Sequence, residues 1–239
     1  MDNIGYTALT RQSGLMREMQ TVANNIANSS TTGYRREGVI FSEYVQQLDK
    51  GDASLSMATA NARLIDLQQG ALTQTNGSFD LAIEGDGFFM VEGADGPLLT
   101  RAGAFTPSAE GELTTADGLR LLDAGGAPVF VPPDAGSISV AADGTMSADG
   151  RPLTQIGLYL PTDPNDLKHR DGVRFAAPGG TEPVLEGASI LQGFVEGSNV
   201  NPVQEITRMI EVQRSYELGQ MFMEKEDERI RSVLQTVVK

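Results

Sequence analysis

Apolar residues in this chain follow helical spacing at both ends and strand-like spacing between them. In residues 1–36, Ala8, Leu15 and Val22 fall seven apart, and Gln12, Met19 and Ile26 interleave with them. This stripe alternates three and four, which predicts a helix of about 25 residues, ~37 Å long. Asn28, Ser29, Ser30 and Thr32-Gly33 supply its stop, with Gly33 suited to left-handed backbone. At the other end, Asn201-Pro202 is a helix start with Pro in the first turn. From there Ile206, Met209, Gln213, Tyr216, Gln220, Met223, Asp227, Ile230 and Leu234 again alternate three and four. A second helix of about 35 residues, ~52 Å long, follows.

The middle has no helical period between residues 76 and 198. Leu81-Ala82-Ile83 and Phe88-Phe89-Met90-Val91 flank Gly85-Asp86-Gly87, which reads as a hairpin turn. Asp95-Gly96, Asp117-Gly118, Asp143-Gly144 and Asp149-Gly150 mark further tight turns, and Leu158-Tyr159-Leu160 and Ile190-Leu191 close the strand set. This density of Asp-Gly turns between short apolar runs argues for a small antiparallel barrel or sandwich. Residues 51–62 are small and polar with little periodicity and read as part of a connector or extended arm.

Composition sharpens the division. All 11 prolines and 23 of the 27 glycines lie within residues 37–202. That segment carries 23 acids against 8 bases, whereas residues 1–36 set four Arg against Asp2 and Glu18, and residues 203–239 set 6 bases against 7 acids. A net charge of −14 argues against nucleic acid as a partner, since a phosphate backbone demands a basic surface, and disfavours an anionic membrane surface. The near-neutral ends suit helices that pack closely. No apolar run is long enough to insert directly into a membrane. The N-terminus lacks a basic region followed by an apolar one, so a cleaved signal peptide is not expected, and by itself this suggests a cytoplasmic protein.

Neither helical stripe is a strong hydrophobic seam. Gln12, Gln213, Gln220 and Asp227 occupy core-type positions, where polar residues trade stability for register. Ala23 and Ala27 make a small second face, with Asn24, Asn25 and Asn28 at the helix end, and Ile210 and Leu218 lie off the main stripe. Contacts to further helices would explain this arrangement. A helical hairpin packed on its own β domain, with solvated Asn residues, would also explain it.

Candidate chemistry is sparse. Zero cysteines exclude disulfides, thiolate metal sites and Cys nucleophiles. The single His169 lies in the charged stretch 166–171 and reads as a surface-loop residue rather than a base. Gly85-Asp86-Gly87 lacks the third glycine and following helix of a dinucleotide loop. The Asp-Gly turns lack the alternating oxygens and distal Glu of a calcium loop. Glu110 and Glu112 are the sort of carboxylate pair expected by chance in so acidic a chain, not a glycosidase pair. Asn28-Ser29-Ser30 and Asn76-Gly77-Ser78 match a glycosylation pattern short enough to arise by chance. No catalytic residue, cofactor or metal is expected.

Residues 22–35, VANNIANSSTTGYR, closely resemble the N-terminal motif of bacterial flagellar rod and hook proteins, commonly A-N-N-L-A-N-x-x-T-x-G-F/Y-K/R, with Ile26 in place of the usual Leu. Residues 70–75 (GALTQT), 79–89 (FDLAIEGDGFF), 100–103 with Phe105 (TRAG), 196–201 (EGSNVN) and 210–217 (IEVQRSYE) match further family motifs in the same order. Within the family, the Met1-Asp2 start, Tyr6 and the short length resemble proximal rod members, and distal rod members share nearly every motif.

The resemblance implies an α+β protein. Its N- and C-terminal α-helices would pair as an antiparallel coiled-coil-like domain around a central antiparallel all-β domain. The divisions would be residues 1–36 for the N-terminal helix, 37–75 for an extended connector, 76–198 for the β domain and 199–239 for the C-terminal helix. It also implies a structural subunit that assembles helically with itself and with other proximal and distal rod proteins. Such subunits reach the periplasmic rod through the flagellar type III export apparatus without a cleaved signal peptide, which replaces the cytoplasmic expectation. The expected assembly residues in the first segment are Leu15, Met19, Val22, Ala23, Asn24, Asn25, Ile26, Ala27, Asn28, Thr31, Gly33 and Tyr34. In the last segment they are Asn199, Asn201, Ile206, Met209, Ile210, Gln213, Tyr216, Met223, Ile230 and Leu234.

Overall fold

The computed structural model describes residues 2–46 and 55–237. Helix α1 is Asp2–Ala27 and helix α2 is Pro202–Val237. Between them run β1 (Glu37–Gln46), β2 (Leu55–Ile65), β3 (Leu72–Gln74), β4 (Leu81–Gly85), β5 (Phe89–Gly93), β6 (Gly96–Thr100), β7 (Thr106–Pro107), β8 (Leu113–Thr114) and β9 (Ile138–Val140). Then come β10 (Thr145–Ala148), β11 (Arg151–Gln155), β12 (Tyr159–Pro161), β13 (Lys168–Asp171), β14 (Arg174–Ala176), β15 (Thr181–Pro183), β16 (Ala188–Gln192) and β17 (Phe194–Glu196). Two terminal helices and a strand-rich middle make the chain α+β, as the patterning predicts.

The chain divides into two compact units. The helical unit comprises residues 1–27, 37–64 and 201–239, and the β unit comprises 28–36 and 65–200. Residues 37–75, expected as an extended connector, instead carry β1, β2 and β3. β1 and β2 form their own two-stranded sheet, and β3 pairs with β17. Part of the 51–62 run lies outside the described residues, and the rest falls in β2.

In the β unit, β5 and β6 form a hairpin with Met90 opposite Leu99, and the sheet continues through β14 to β13. The run 88–91 is continuously apolar because both of its faces are covered. Phe89 and Val91 join the larger core with Leu81, Ile83, Leu121, Met146 and Ile190, whereas Phe88 and Met90 join a second cluster with Leu99, Leu122 and Phe175. Phe89 meets Phe105 edge-on at 5.5 Å, and Phe88 meets Phe175 at 6.0 Å. The turn at Gly85-Asp86-Gly87 is not a hairpin: β4 pairs with β16 and β5 with β6, so the turn passes the chain between two sheets. His169, expected in a surface loop, sits half-buried on β13, 5.3 Å from the Phe175 ring.

Candidate functional site

The helical unit is built from capping and from a polar seam. Asn201 Oδ1 accepts from the amides of Val203 and Gln204 at 3.1 and 3.3 Å, and Pro202 follows at the first helical position. On α1 the expected stripe is the packed face. Gln12, Leu15 and Val22 are buried, and Ala8, Met19 and Ile26 are half-buried. On α2 half of the expected stripe is displaced by one residue. Met209, Tyr216 and Met223 face inward as expected. The positions between them are Glu205, Val212, Gly219 and Glu226 rather than Ile206, Gln213, Gln220 and Asp227, all of which are exposed. Of the four polar residues expected in core positions, only Gln12 is there. Its Nε2 donates to the Tyr216 carbonyl at 2.9 Å, beside Gly219.

Two further polar contacts join the helices. Arg208 pairs with Glu18, with Nε donating at 2.7 Å. Burial by itself would lower the Arg208 pKa, but the hydrogen bond and charge of Glu18 outweigh it and raise it. Asn25 is fully buried. Its Nδ2 donates to the Glu37 carbonyl at 2.8 Å and to Glu205 Oε2 at 3.1 Å, and its Oδ1 accepts from the Glu37 amide at 3.0 Å. One side chain thereby ties α1 to β1 and to α2. As the contact moves from Asn25 to Gln12 on α1, it moves from Glu205 to Tyr216 on α2, so the two helices run in opposite directions.

A different face of each helix is left open. Ala23, Asn24 and Ala27 are exposed on α1, as are Leu9 and Met16. On α2, Ile206, Ile210, Leu218 and Phe222 are exposed on that face, with Leu218 63% accessible, and Ile230 and Leu234, which continue the spacing of Met209, Tyr216 and Met223, are exposed near the C-terminal end of the helix. Asn201 and Gln213 are exposed as well. Of the other expected assembly residues, Leu15, Val22 and Asn25 are buried within the helical unit, and Gly33 and Tyr34 within the β unit. Asn28, Thr31 and Asn199 are half-buried.

The β unit gathers the family-like motifs around one carboxylate. Glu196 Oε1 lies 2.7 Å from Arg35 Nη2 and accepts from the Gly70 amide at 2.7 Å. Oε2 accepts from Arg101 Nη1 at 3.0 Å, and the Glu196 carbonyl accepts from the Gly33 amide at 2.7 Å. Arg35 Nη1 continues to the Gln68 carbonyl at 2.6 Å, and Arg101 Nη2 to that of Gly85 at 2.8 Å. The side chains of Arg35 and Glu196 have no exposed surface, and that of Arg101 is 2% exposed. Burial pulls the Arg101 guanidinium below its ordinary pKa; Glu196 acts against this, and Arg35 adds to it. Asn199 completes the node, accepting from the Arg36 amide at 2.7 Å and donating to the carbonyls of Asp66 and Gln68 at 3.0 and 2.9 Å. Gly33 needs its φ of +71°, and a Cβ there would lie 2.2 Å from the Ala102 nitrogen.

Sequence reading missed Glu37, Glu205, Arg101, Glu196 and Gly70 as partners. Arg101, Glu196 and Gly70 stood inside recognised motifs, but charge pairs so far apart in sequence leave no periodic signal. Elsewhere in the β unit, a cleft of about 600 Å³ is lined by Met90, Pro97, Leu122, Pro128 and Arg120. Its arginine is paired with Glu92 at 2.6 Å and Glu112 at 3.5 Å. Among the described residues, no group of three or more His, Asp or Glu could hold a metal ion.

Buried ion pairs that fix the fold, together with exposed apolar helix faces, define a structural subunit. Three family descriptions match the chain: "Flagella basal body rod protein" at residues 6–35, "Flagellar hook protein FlgE/F/G D1 domain" at 82–148, and "Flagellar basal body rod FlgEFG protein C-terminal" at 191–236. The chain is 40% identical over 215 residues to the flagellar basal-body rod protein FlgF of Mesorhizobium japonicum, covering 89% of this chain and 88% of that one. To FlgF of Caulobacter vibrioides it is 39% identical, covering 100% and 99%. To the rod protein FlgG of Bacillus subtilis it is 28% identical, covering 96% and 97%. The chain belongs to the flagellar basal-body rod protein family and is a structural subunit of that rod.

Proposed function

We propose that the chain forms part of the proximal rod, the section of the drive shaft nearest the motor. Its higher identity to the FlgF relatives than to the FlgG relative supports this position. The terminal helices pair as an antiparallel, coiled-coil-like element whose outer faces pack against neighbouring subunits. One observation carries this reading: large apolar side chains stay exposed along α2 in a chain of net charge −14. Leaving such a face in water is unfavourable, and a second helix would remove it from water at about 25 cal/mol per Å². Contacts between two different surfaces of successive subunits, when they do not close on themselves, generate a helical filament.

The partners in this reading are further copies of the chain and other proximal and distal rod proteins. The route is the flagellar type III export apparatus to the periplasm. In this reading the helical unit, residues 1–27, 37–64 and 201–239, carries the assembly contacts, and the β unit, residues 28–36 and 65–200, is a separate body. The role is not enzymatic. Because the helix seam is polar at Gln12, Glu18, Asn25 and Glu205, the terminal helices order fully only when neighbours cover their outer faces.

Ala27→Leu tests the reading. Ala27 is exposed in the single chain, so the variant folds normally, yet its larger side chain keeps a neighbouring helix from close approach. Loss of rod formation and motility with an intact β unit is the expected result. Normal motility would count against the packing role.

A further inference from the structure

The β unit is closed by its two ends. Segment 28–36 belongs to it, although the rest of the unit begins only at residue 65. β16 and β17, the last strands, pair with β4 and β3, the first strands of the unit. By contrast, β5 with β6 and β10 with β11 are local hairpins. Glu196 ends β17 and supplies the counter-charge for Arg35 and Arg101. Without this carboxylate, two guanidiniums would face each other in a low-dielectric interior and the Gly70 amide would lose its acceptor, whereas the Gly33 amide donates to the Glu196 backbone carbonyl and keeps its bond only while β17 stays docked. The Nε atoms of both arginines already have no hydrogen-bond partner among the described residues, so little else there could replace the carboxylate.

We infer that Glu196 is a completion latch: segment 28–36 docks onto the β unit only when the C-terminal strand carrying Glu196 has docked. Sequence separation sets this order, because closing a loop from residue 35 to residue 196 is far less favourable entropically than closing a hairpin. In a chain delivered N-terminus first, the N-terminal motif would stay undocked from the β unit until almost all of the chain had arrived. The latch lies wholly within the β unit and does not depend on the assembly reading. A failed rod-formation test would leave it standing.

Pulse-labelling hydrogen exchange during refolding of the unaltered full chain tests it. Amides of the Phe89–Thr100 hairpin should gain protection first. Those of Gly33 and Gly70 should gain it later, in the same phase as β17. Protection of Gly33 before or together with the hairpin would overturn the inference. Native-state exchange of the Glu196→Gln variant gives a second reading. Gly33 and Gly70 should lose at least about tenfold protection while Met90 and Leu99 keep theirs. Unchanged protection at Gly33, or an equal loss at all four amides, would also overturn it.

Discussion

Asn25→Asp isolates one of the three polar contacts between the helices, the one that also ties in β1. The change is isosteric and replaces an amide donor by a carboxylate. In the native protein, Asn25 Nδ2 donates to the Glu37 carbonyl at 2.8 Å and to Glu205 at 3.1 Å. Glu205 and Glu37 are 1% and 2% exposed, so the new charge would enter a dry site beside an existing carboxylate. Two donated hydrogen bonds are lost and a buried carboxylate is brought against Glu205, which costs about 3–5 kcal/mol. The site also dictates the sign of the pH dependence. Both burial and the neighbouring carboxylate raise the introduced group's folded-state pKa above its unfolded value near ~3.9. The penalty is therefore small below about pH 4 and grows as the pH rises through the raised value. Urea unfolding followed by far-ultraviolet circular dichroism at pH 4 and pH 7 measures both effects. Equal stability of variant and parent at pH 7, or a loss that does not change with pH, would refute the bonding described for Asn25.

Other expectations follow from the same geometry. Gly33→Ala combines a φ of +71° with a Cβ 2.2 Å from the Ala102 nitrogen, so the β unit should lose more than about 2 kcal/mol, read by thermal unfolding. Gly219→Ala gains helix propensity but places a Cβ 2.3 Å from Gln12 Nε2. Alone it should be neutral within about 0.5 kcal/mol, and in a Gln12→Ala background it should stabilise by about 1 kcal/mol; equal effects in both backgrounds would exclude the coupling. Asp143 is held below its ordinary pKa by the Thr145 amide and hydroxyl. Asp123 is also held low, where hydrogen bonds from Ala127, Thr154 and Gly125 outweigh the upward push of burial. Depressed carboxylates contribute stability above their unfolded pKa and lose it as pH falls through the folded one. The β unit should therefore keep its stability from pH 7 down to about pH 4 and lose it below, and a steep loss between pH 7 and 5 would contradict this.

Both helices and the apolar runs that form β4, β5, β12 and β16 were legible because local rules specify them. The Asn201-Pro202 start and the Asp-Gly turns rest on backbone chemistry within a few residues, whereas α1 ends at Ala27 and the left-handed Gly33, expected in its stop, lies beyond it against Ala102 of the β unit. The α2 seam was half legible for a definite reason. Met209, Tyr216 and Met223 satisfy two registers that differ by one residue at the positions between them. In α2, Val212 and Gly219 are no clearer a seam than Ile206 and Gln213 until α1 is present to choose. Residues 37–75 read as a connector because the small polar residues of β2 hide its pairing with β1, and because the partner of β3, β17, lies far along the chain. The Glu196 node could not be read from spacing at all, since Arg35, Gly70, Arg101 and Glu196 meet only when both ends of the β unit close. Recognised motifs marked these residues without saying that they touch.

The central claim, that the exposed α2 face packs against neighbouring subunits, can be tested directly because the chain contains no native cysteine. Single Ile210→Cys and Val212→Cys variants would be labelled in assembled rods with a maleimide-linked photo-cross-linker, the thiol adding to the maleimide, and after illumination examined for links to other subunits. Ile210 is 45% exposed and Val212 is 2% exposed, on different faces of the same helix. The account predicts intersubunit cross-links from position 210 and none from position 212. No cross-link at 210, or equal cross-linking from both, would contradict it.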